Sequence, residues 1–279
     1  MINFDNYNIV CSNSIDKILK DYTKNKRIIV GGKCTYEFYK SKCNTIENVC
    51  AIGGGSVIDK AKIISKGPIK IAIPTTASGS TQTCHSVVWN NLRKTSVERF
   101  KPERVVVLDT FLKNVPEEIQ FYTKVDMISH IFDSQNIDIL KKEKFKSKTY
   151  KEIVEWGIAA GNMIENTPTT ILHGLSYYLT AHMNIDHGEA LSYFLPTLFN
   201  YESIKLEDHF KTKQIANFKH LELSQIDKSR FVNFILMNYV DKIRGYKKIK
   251  NHSVKEIENF IEGILNENSP WIKRSSLRW

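Results

Sequence analysis

Four side chains define the chemistry this sequence could perform. Asp126 and His130 stand at i and i+4 in Asp126-Met-Ile-Ser-His130, a spacing that on a helix stacks a carboxylate and an imidazole on one face, where both can grip one ion. His173 opens an apolar segment that reads as helix. His187 follows fourteen positions later, just before Gly188 and a second apolar run from Ala190 to Phe194. One oxygen and three nitrogens form a donor set suited to a divalent metal. Each histidine taken singly also suits a hydrogen-bonded structural place on a helix.

A second constellation lies upstream. Asn48-Val-Cys-Ala-Ile52 reads as a strand, runs into Gly53-Gly-Gly-Ser56, and continues as a helical Val57 to Ile64. Strand, glycine turn and helix in that order make a phosphate cradle, because glycine lets the backbone approach an anion and the helix N-terminus offers open N–H groups. The string Gly53-Gly-Gly-Ser-x-x-Asp59-x-Ala-Lys62 resembles the signature of the iron-containing alcohol dehydrogenase family, which belongs with the dehydroquinate synthase-like folds. The next strand, Ile69 to Ile73, leads into Pro74-Thr-Thr-Ala-Ser-Gly-Ser80, similar to that family's second nucleotide-contacting turn with one residue deleted.

The resemblance continues through Lys94-Thr-Ser-Val97, Pro102 to Asp109, Asp126 to His130 and His173 to Gly188. It implies that Asp126, His130, His173 and His187 bind one divalent ion, Fe²⁺ or Zn²⁺, and that Gly53, Gly54, Gly55 and Ser56 cradle a pyrophosphate. Thr75, Thr76, Gly79, Ser80 and Lys94 carry over as nucleotide contacts. Asp59 is expected either to touch the cofactor or to cap and pair locally, and with Lys62 to order the turn. The activity implied is NAD(P)H-linked reduction of a small aldehyde or ketone to an alcohol. His173-Gly-Leu-Ser-Tyr-Tyr-Leu-Thr180 and Thr83 to Val88 look most like the phosphonoacetaldehyde reductase branch, which points to a phosphonylated or phosphorylated carbonyl compound, a sugar or triose phosphate included. Two rival readings are a metal-dependent cyclase similar to dehydroquinate synthase and a non-catalytic relative.

The chain departs from the family pattern in places. It is shorter than usual members, notably between Lys42 and Asn48 and between His130 and His173. Thr81 replaces a common acidic residue, and Tyr177 stands where many relatives have a further histidine, so Tyr177 is a candidate proton donor. His182 and His85 are further candidates to line the pocket. Where many relatives carry an acidic residue for the ribose hydroxyls of NAD, this chain reads Val30-Gly-Gly-Lys33; a cation in place of a carboxylate suits a 2′-phosphate, so NADP(H) is expected over NAD(H).

The elements that must position these groups follow from periodicity. Short buried strands alternate with helices up to about residue 115, and helical spacing dominates afterwards, at Lys151–Ile164, Ile171–Ala181, Ala190–Asn200, Ser229–Arg244 and Ser253–Leu265. The expected architecture is α/β plus all-α: a Rossmann-like parallel-sheet nucleotide domain over 1–115 and a helical metal-binding domain over 116–279, with cofactor and metal in the cleft.

With 279 residues, 42% of them hydrophobic and 25% charged, the chain has an ordinary globular composition without a membrane-length apolar run. Five scattered cysteines without a Cys-x-x-Cys pair suggest neither a disulfide framework nor a thiolate zinc site. Together with the lack of a signal-like start, these features lead us to expect a cytoplasmic protein. The net charge of +10 is spread through the chain, with a run at Lys141 to Lys148 that reads as a solvated face and not as a nucleic-acid site; the basic balance suits an anionic small-molecule substrate. A homodimer is compatible with this reading.

Overall fold

In the computed structural model, which describes residues 2–25, 27–165, 167–218 and 227–266, the first half is built on a parallel sheet. The elements in order are β1 (Asn8–Cys11), α1 (Asn13–Leu19), β2 (Arg27–Ile29), α2 (Tyr36–Lys42), β3 (Val49–Gly53), α3 (Gly55–Ile64), β4 (Ile71–Pro74), β5 (His85–Asn90) and β6 (Arg93–Glu98). The helices α4 (Asp109–Leu112), α5 (Glu117–Asp133), α6 (Ile137–Lys142), α7 (Tyr150–Glu165), α8 (Ile171–His182), α9 (His187–Ser192), α10 (Leu195–Tyr201), α11 (Thr212–Ile215), α12 (Lys228–Arg244) and α13 (Val254–Leu265) follow. The chain divides into two units, Met1–Met127 with Thr149–Asn166, and Ile128–Lys148 with Thr167–Trp279. The division falls inside α5 and returns α7 to the first unit, in contrast to the expected break at residue 116.

In the first unit the sheet order is β2-β1-β3-β4, all parallel. Both faces are covered, which explains why its strands are near-continuous apolar runs. Ile9, Cys11, Cys50, Ile52, Ile71 and Ile73 pack with Ile15 and Leu19 of α1 and with Phe111. On the other face Val10, Val49, Ala51 and Ala72 meet Val57, Ile58, Ala61 and Ile64 of α3. The register Gly53↔Pro74 brings the carboxyl ends of β3 and β4 side by side, so both turns suspected of nucleotide contact leave the same edge. An antiparallel hairpin, β5 with β6, closes around Asn91, whose φ of 52° is the left-handed conformation a two-residue hairpin turn requires.

Helix α7 belongs here because of two glycines. A Cβ at Gly157 would collide with the carbonyl of Ala77, and one at Gly161 with that of Gly79, so the helix backbone lies directly on the second turn. Tyr150 Oη donates to Thr75 O at 3.0 Å, and Glu165 accepts from Cys84 N at 3.1 Å. Both ends of α7 are thereby tied to the same loop.

The second unit is helical in its described residues, with Phe132 stacked between Phe199 and Tyr246 at centroid distances of 6.2 and 5.9 Å. The helix expected over Ala190–Asn200 is two helices, α9 and α10. Pro196 sits in the first turn of α10, where its missing N–H is tolerated, and it cannot continue the ladder from α9. Among the described residues no helix is long and apolar enough to cross a membrane.

Candidate metal and nucleotide sites

The metal candidates are placed by three helices. On α5, Asp126 and His130 are one turn apart, as the spacing requires, and both are buried. His173 lies in the first turn of α8, and each of Asp126, His130 and His173 offers a ligand atom within 4.8 Å of the others. The rings of His130 and His173 stack 4.6 Å apart with planes 13° from parallel. His187, the first residue of α9, lies with its ring 5.1 Å from that of His173. A carboxylate oxygen and imidazole nitrogens gathered in a buried place fit a divalent cation, because such groups are otherwise kept apart or hydrogen-bonded to one another.

Asp133 was not anticipated from the sequence. It is the last residue of α5, fully buried, and its Oδ2 lies 2.7 Å from His173 Nδ1. Burial opposes its charge, yet donation from the His173 ring and from the N–H groups of His173 and Leu172 holds the carboxyl below the usual carboxylate range. His173 Nε2, the nitrogen not taken by Asp133, is buried and makes no hydrogen bond. The signal for Asp133 was its position at i+3 from His130, on the same helical face.

Tyr177 lies one turn beyond His173, with its ring 6.1 Å from that of His187 and 4.9 Å from Tyr239. Lys242 Nζ stands 5.8 Å from the Tyr177 ring centre and donates to Thr169 O and Oγ1 at 2.7 Å. Burial lowers the pKa of Lys242, and the Asp133 carboxylate opposes that shift. His182 does not join this group. Nine residues after His173 it is half a turn out of phase, and it packs against Tyr178 and Phe234 at 4.6 and 4.8 Å.

In the first unit the glycine turn is shaped by close approach. A Cβ at Gly53 would meet the Val57 side chain at 2.8 Å, and one at Gly55 would meet Ser78 Oγ at 2.9 Å. The two turns are joined at Thr75 N, which donates to Gly53 O at 3.0 Å. Helix α3 opens at Gly55, and a Cβ at Gly54 would meet Thr76 while one at Gly55 would meet Ser78 and Ser80, so the second turn lies against the start of the helix. Lys62, 1% exposed, donates Nζ to three carbonyls: that of Ser80, Thr83 at 2.7 Å and His85 at 3.0 Å. Burial brings its pKa down to about 8, against the pull of Asp59 and Glu165, so at neutral pH it remains an ammonium that staples the second turn. Thr81 is buried beneath that turn. Lys94 pairs with Trp89 across the hairpin and contributes positive charge near Asp59.

Asp59 is buried, and that desolvation raises its pKa from 3.8 to about 6, with Lys62 as the leading opposing influence. A folded pKa above the unfolded value means that folding favours the protonated form, so stability is full below about pH 4 and declines as pH rises to about 6. Two pKa units correspond to about 3 kcal/mol. Asp59→Asn is expected to remove this decline, as read from urea unfolding between pH 4 and 7; an unchanged slope would contradict the assignment.

Known proteins share parts of this sequence and its fold. Residues 135–262 match the family model described as Fe-containing alcohol dehydrogenase family, C-terminal. A 4-hydroxybutyrate dehydrogenase from Clostridium kluyveri is 24% identical over 271 residues, which cover 78% of this chain and 71% of that protein. Among solved structures, an iron-containing alcohol dehydrogenase superimposes with a TM-score of 0.69 at 18% identity, covering 93% of this chain and 91% of the other. A sulfoacetaldehyde reductase from Bifidobacterium kashiwanohense, in complex with NAD⁺, gives 0.68 at 17% identity over 95% and 92%. The fold is that of the iron-containing alcohol dehydrogenases. Over residues 135–262 the chain resembles the C-terminal part of that family, and the curated relative is a dehydrogenase; neither likeness favours a cyclase.

Proposed function

We propose that the chain is a metal-dependent, NADPH-linked reductase of a small anionic aldehyde or ketone, phosphonylated or phosphorylated. The observation that carries this reading is the convergence of Asp126, His130 and His173 within 4.8 Å, with His187 beside them. These four residues would hold Fe²⁺ or Zn²⁺; Gly53, Gly54, Gly55, Ser56, Asp59, Thr75, Thr76, Gly79, Ser80 and Lys94 would surround the nucleotide. When bound, the cation supplies positive charge to a substrate oxygen and the nicotinamide supplies hydride. Tyr177 Oη holds the proton that the alcohol oxygen takes up, and Lys242, 5.8 Å from the centre of its ring, helps to fix the ring in place. The buried aromatic wall of Tyr177 and Tyr239 keeps water from the same place.

An anionic substrate agrees with the net charge of +10 and with two relatives whose names specify a carboxylate or a sulfonate on a short chain. Anaerobic purification with metal quantification, followed by a screen of phosphonylated and phosphorylated aldehydes and ketones while NADPH absorbance is followed, tests the reading. Turnover confined to uncharged carbonyl compounds would contradict it.

The cofactor preference rests on the turn after β2. Gly31 and Gly32 offer their carbonyls to Lys60 Nζ, no carboxylate stands between Val30 and Lys33, and Lys33 is exposed above the Trp89 ring. NADPH is expected to give a kcat/KM severalfold above NADH, since a phosphate contact made by an exposed lysine is worth ~1 kcal/mol. Lys33→Glu is expected to invert the ratio. A parent preference for NADH would refute the reading.

A further inference from the structure

One buried carboxylate in the second unit has four donors aimed at it and no acceptor. Asp133 Oδ1 accepts from Thr170 Oγ1 at 3.0 Å and Leu172 N at 3.1 Å, while Oδ2 accepts from His173 N at 3.1 Å and His173 Nδ1 at 2.7 Å. The first consequence concerns α8. Its own cap residue, Thr170, makes no side-chain cap bond, and the N–H groups of the first turn would be orphaned in a buried place. Asp133 fills that need from another helix. The second consequence concerns His173, which is braced at two points, backbone and ring, by a single oxygen. An acceptor-only partner at Nδ1 requires the hydrogen there, so Nε2 carries the lone pair. Helix α5 therefore carries Asp126 and His130 and also the group that decides which nitrogen of His173 is available.

We propose that Asp133 is a positioning residue of the metal centre: it holds His173 in the tautomer with hydrogen on Nδ1 and presents Nε2 as the ligand atom, while the same carboxylate closes the N-terminus of α8. This rests on the metal reading above. A charged cap that also fixes a ligand couples the start of α8 to the ion, so that metal binding and local helix order rise and fall together.

The amide of Asp133→Asn cannot accept from all four donors. If its NH₂ faces the ring, Nδ1 must accept, hydrogen moves to Nε2 and the ligand lone pair is lost; if its NH₂ faces the helix, it opposes the Thr170 hydroxyl and the Leu172 N–H. Zn²⁺ affinity, measured by competition with a chromophoric chelator, is expected to fall about 10- to 100-fold in Asp133→Asn. Asp133→Glu, which restores a carboxylate, is expected to recover most of it. Thr170→Ala removes a cap donor and leaves the ring contact, so it should lower thermal stability and keep Zn²⁺ affinity within about twofold of the parent. Metal-free parent labelled with ¹⁵N-histidine gives a reading that needs no Asp133 variant: His173, assigned by its loss in His173→Gln, should be protonated at Nδ1. A folded Asp133→Asn with parental affinity, or a parent His173 protonated at Nε2, would overturn the proposal. A parent chain that takes up no Zn²⁺ defeats the metal reading and this inference with it, whereas tight uptake by parent and Asp133→Asn alike defeats this inference alone.

Discussion

Replacing His130 with alanine is expected to empty the metal centre and to lower kcat/KM for carbonyl reduction by about a thousandfold or more, ~4 kcal/mol of transition-state stabilisation. The effect is large because the substitution acts inside a buried donor set. His130 is 7% exposed, its ring lies against that of His173, and it is one turn from Asp126 on a continuous helix. Its loss removes one donor and the ring stacked on His173, leaving a gap beside the remaining carboxylate and two imidazoles, so the cation is held more weakly and the open position is no longer the one that faces substrate. The fold should survive, since α5 keeps its apolar anchors Phe121, Val125, Ile128, Ile131 and Phe132. Metal content and steady-state rates check the expectation together. A His130→Ala protein that retains its ion and works within tenfold of the parent would remove His130 from the ligand set.

The second large effect concerns stability. Lys62→Met is expected to destabilise the first unit by about 2–3 kcal/mol, because it keeps the aliphatic stem but takes the lysine donor from the Thr83 carbonyl, ~1–3 kcal/mol when buried, and leaves the Ser80 and His85 carbonyls only their weaker bonds from Thr83. Those carbonyls belong to Ser80, Thr83 and His85, so the damage should concentrate on the turn that carries Gly79 and Ser80. Unfolding in urea should show the loss, and the KM for NADPH should rise even where the protein is still folded. A melting curve superimposable on the parent's would mean that the carbonyls find other partners and that Lys62 is no staple.

Much of this could be read from residue types and spacing, and the failures have physical reasons. The Asp126–His130 spacing translated directly into geometry because a helix fixes the i, i+4 relation, and the strand-glycine-helix order around Gly53 did so because only close backbone approach explains three adjacent glycines. Strand β1 escaped notice: four residues, Asn8 to Cys11, are too few to show a period, and its place in the middle of the sheet is decided by pairing with β2 and β3. The hairpin was hidden by the polar composition of Arg93 to Glu98 and by a turn at Asn91-Leu92 without glycine. The periodicity of α7 is plain, but the place of Gly157 and Gly161 against the carbonyls of Ala77 and Gly79 depends on tertiary packing that spacing does not show. His182, a candidate to line the pocket, packs against Tyr178 and Phe234, because phase around α8 and not nearness in sequence sets its neighbours. Asp133 lay outside the quoted motif, and its function depends on where α8 begins, which no local pattern reveals.

Metal content of the anaerobically purified chain tests the central claim most directly. Inductively coupled plasma mass spectrometry should find about one Fe²⁺ or Zn²⁺ per chain in the parent, falling to less than about a tenth in His130→Ala, because loss of a donor weakens retention of the ion through purification. A parent that carries no stoichiometric divalent ion after reconstitution with either metal, or one whose ion is indifferent to His130, would contradict it.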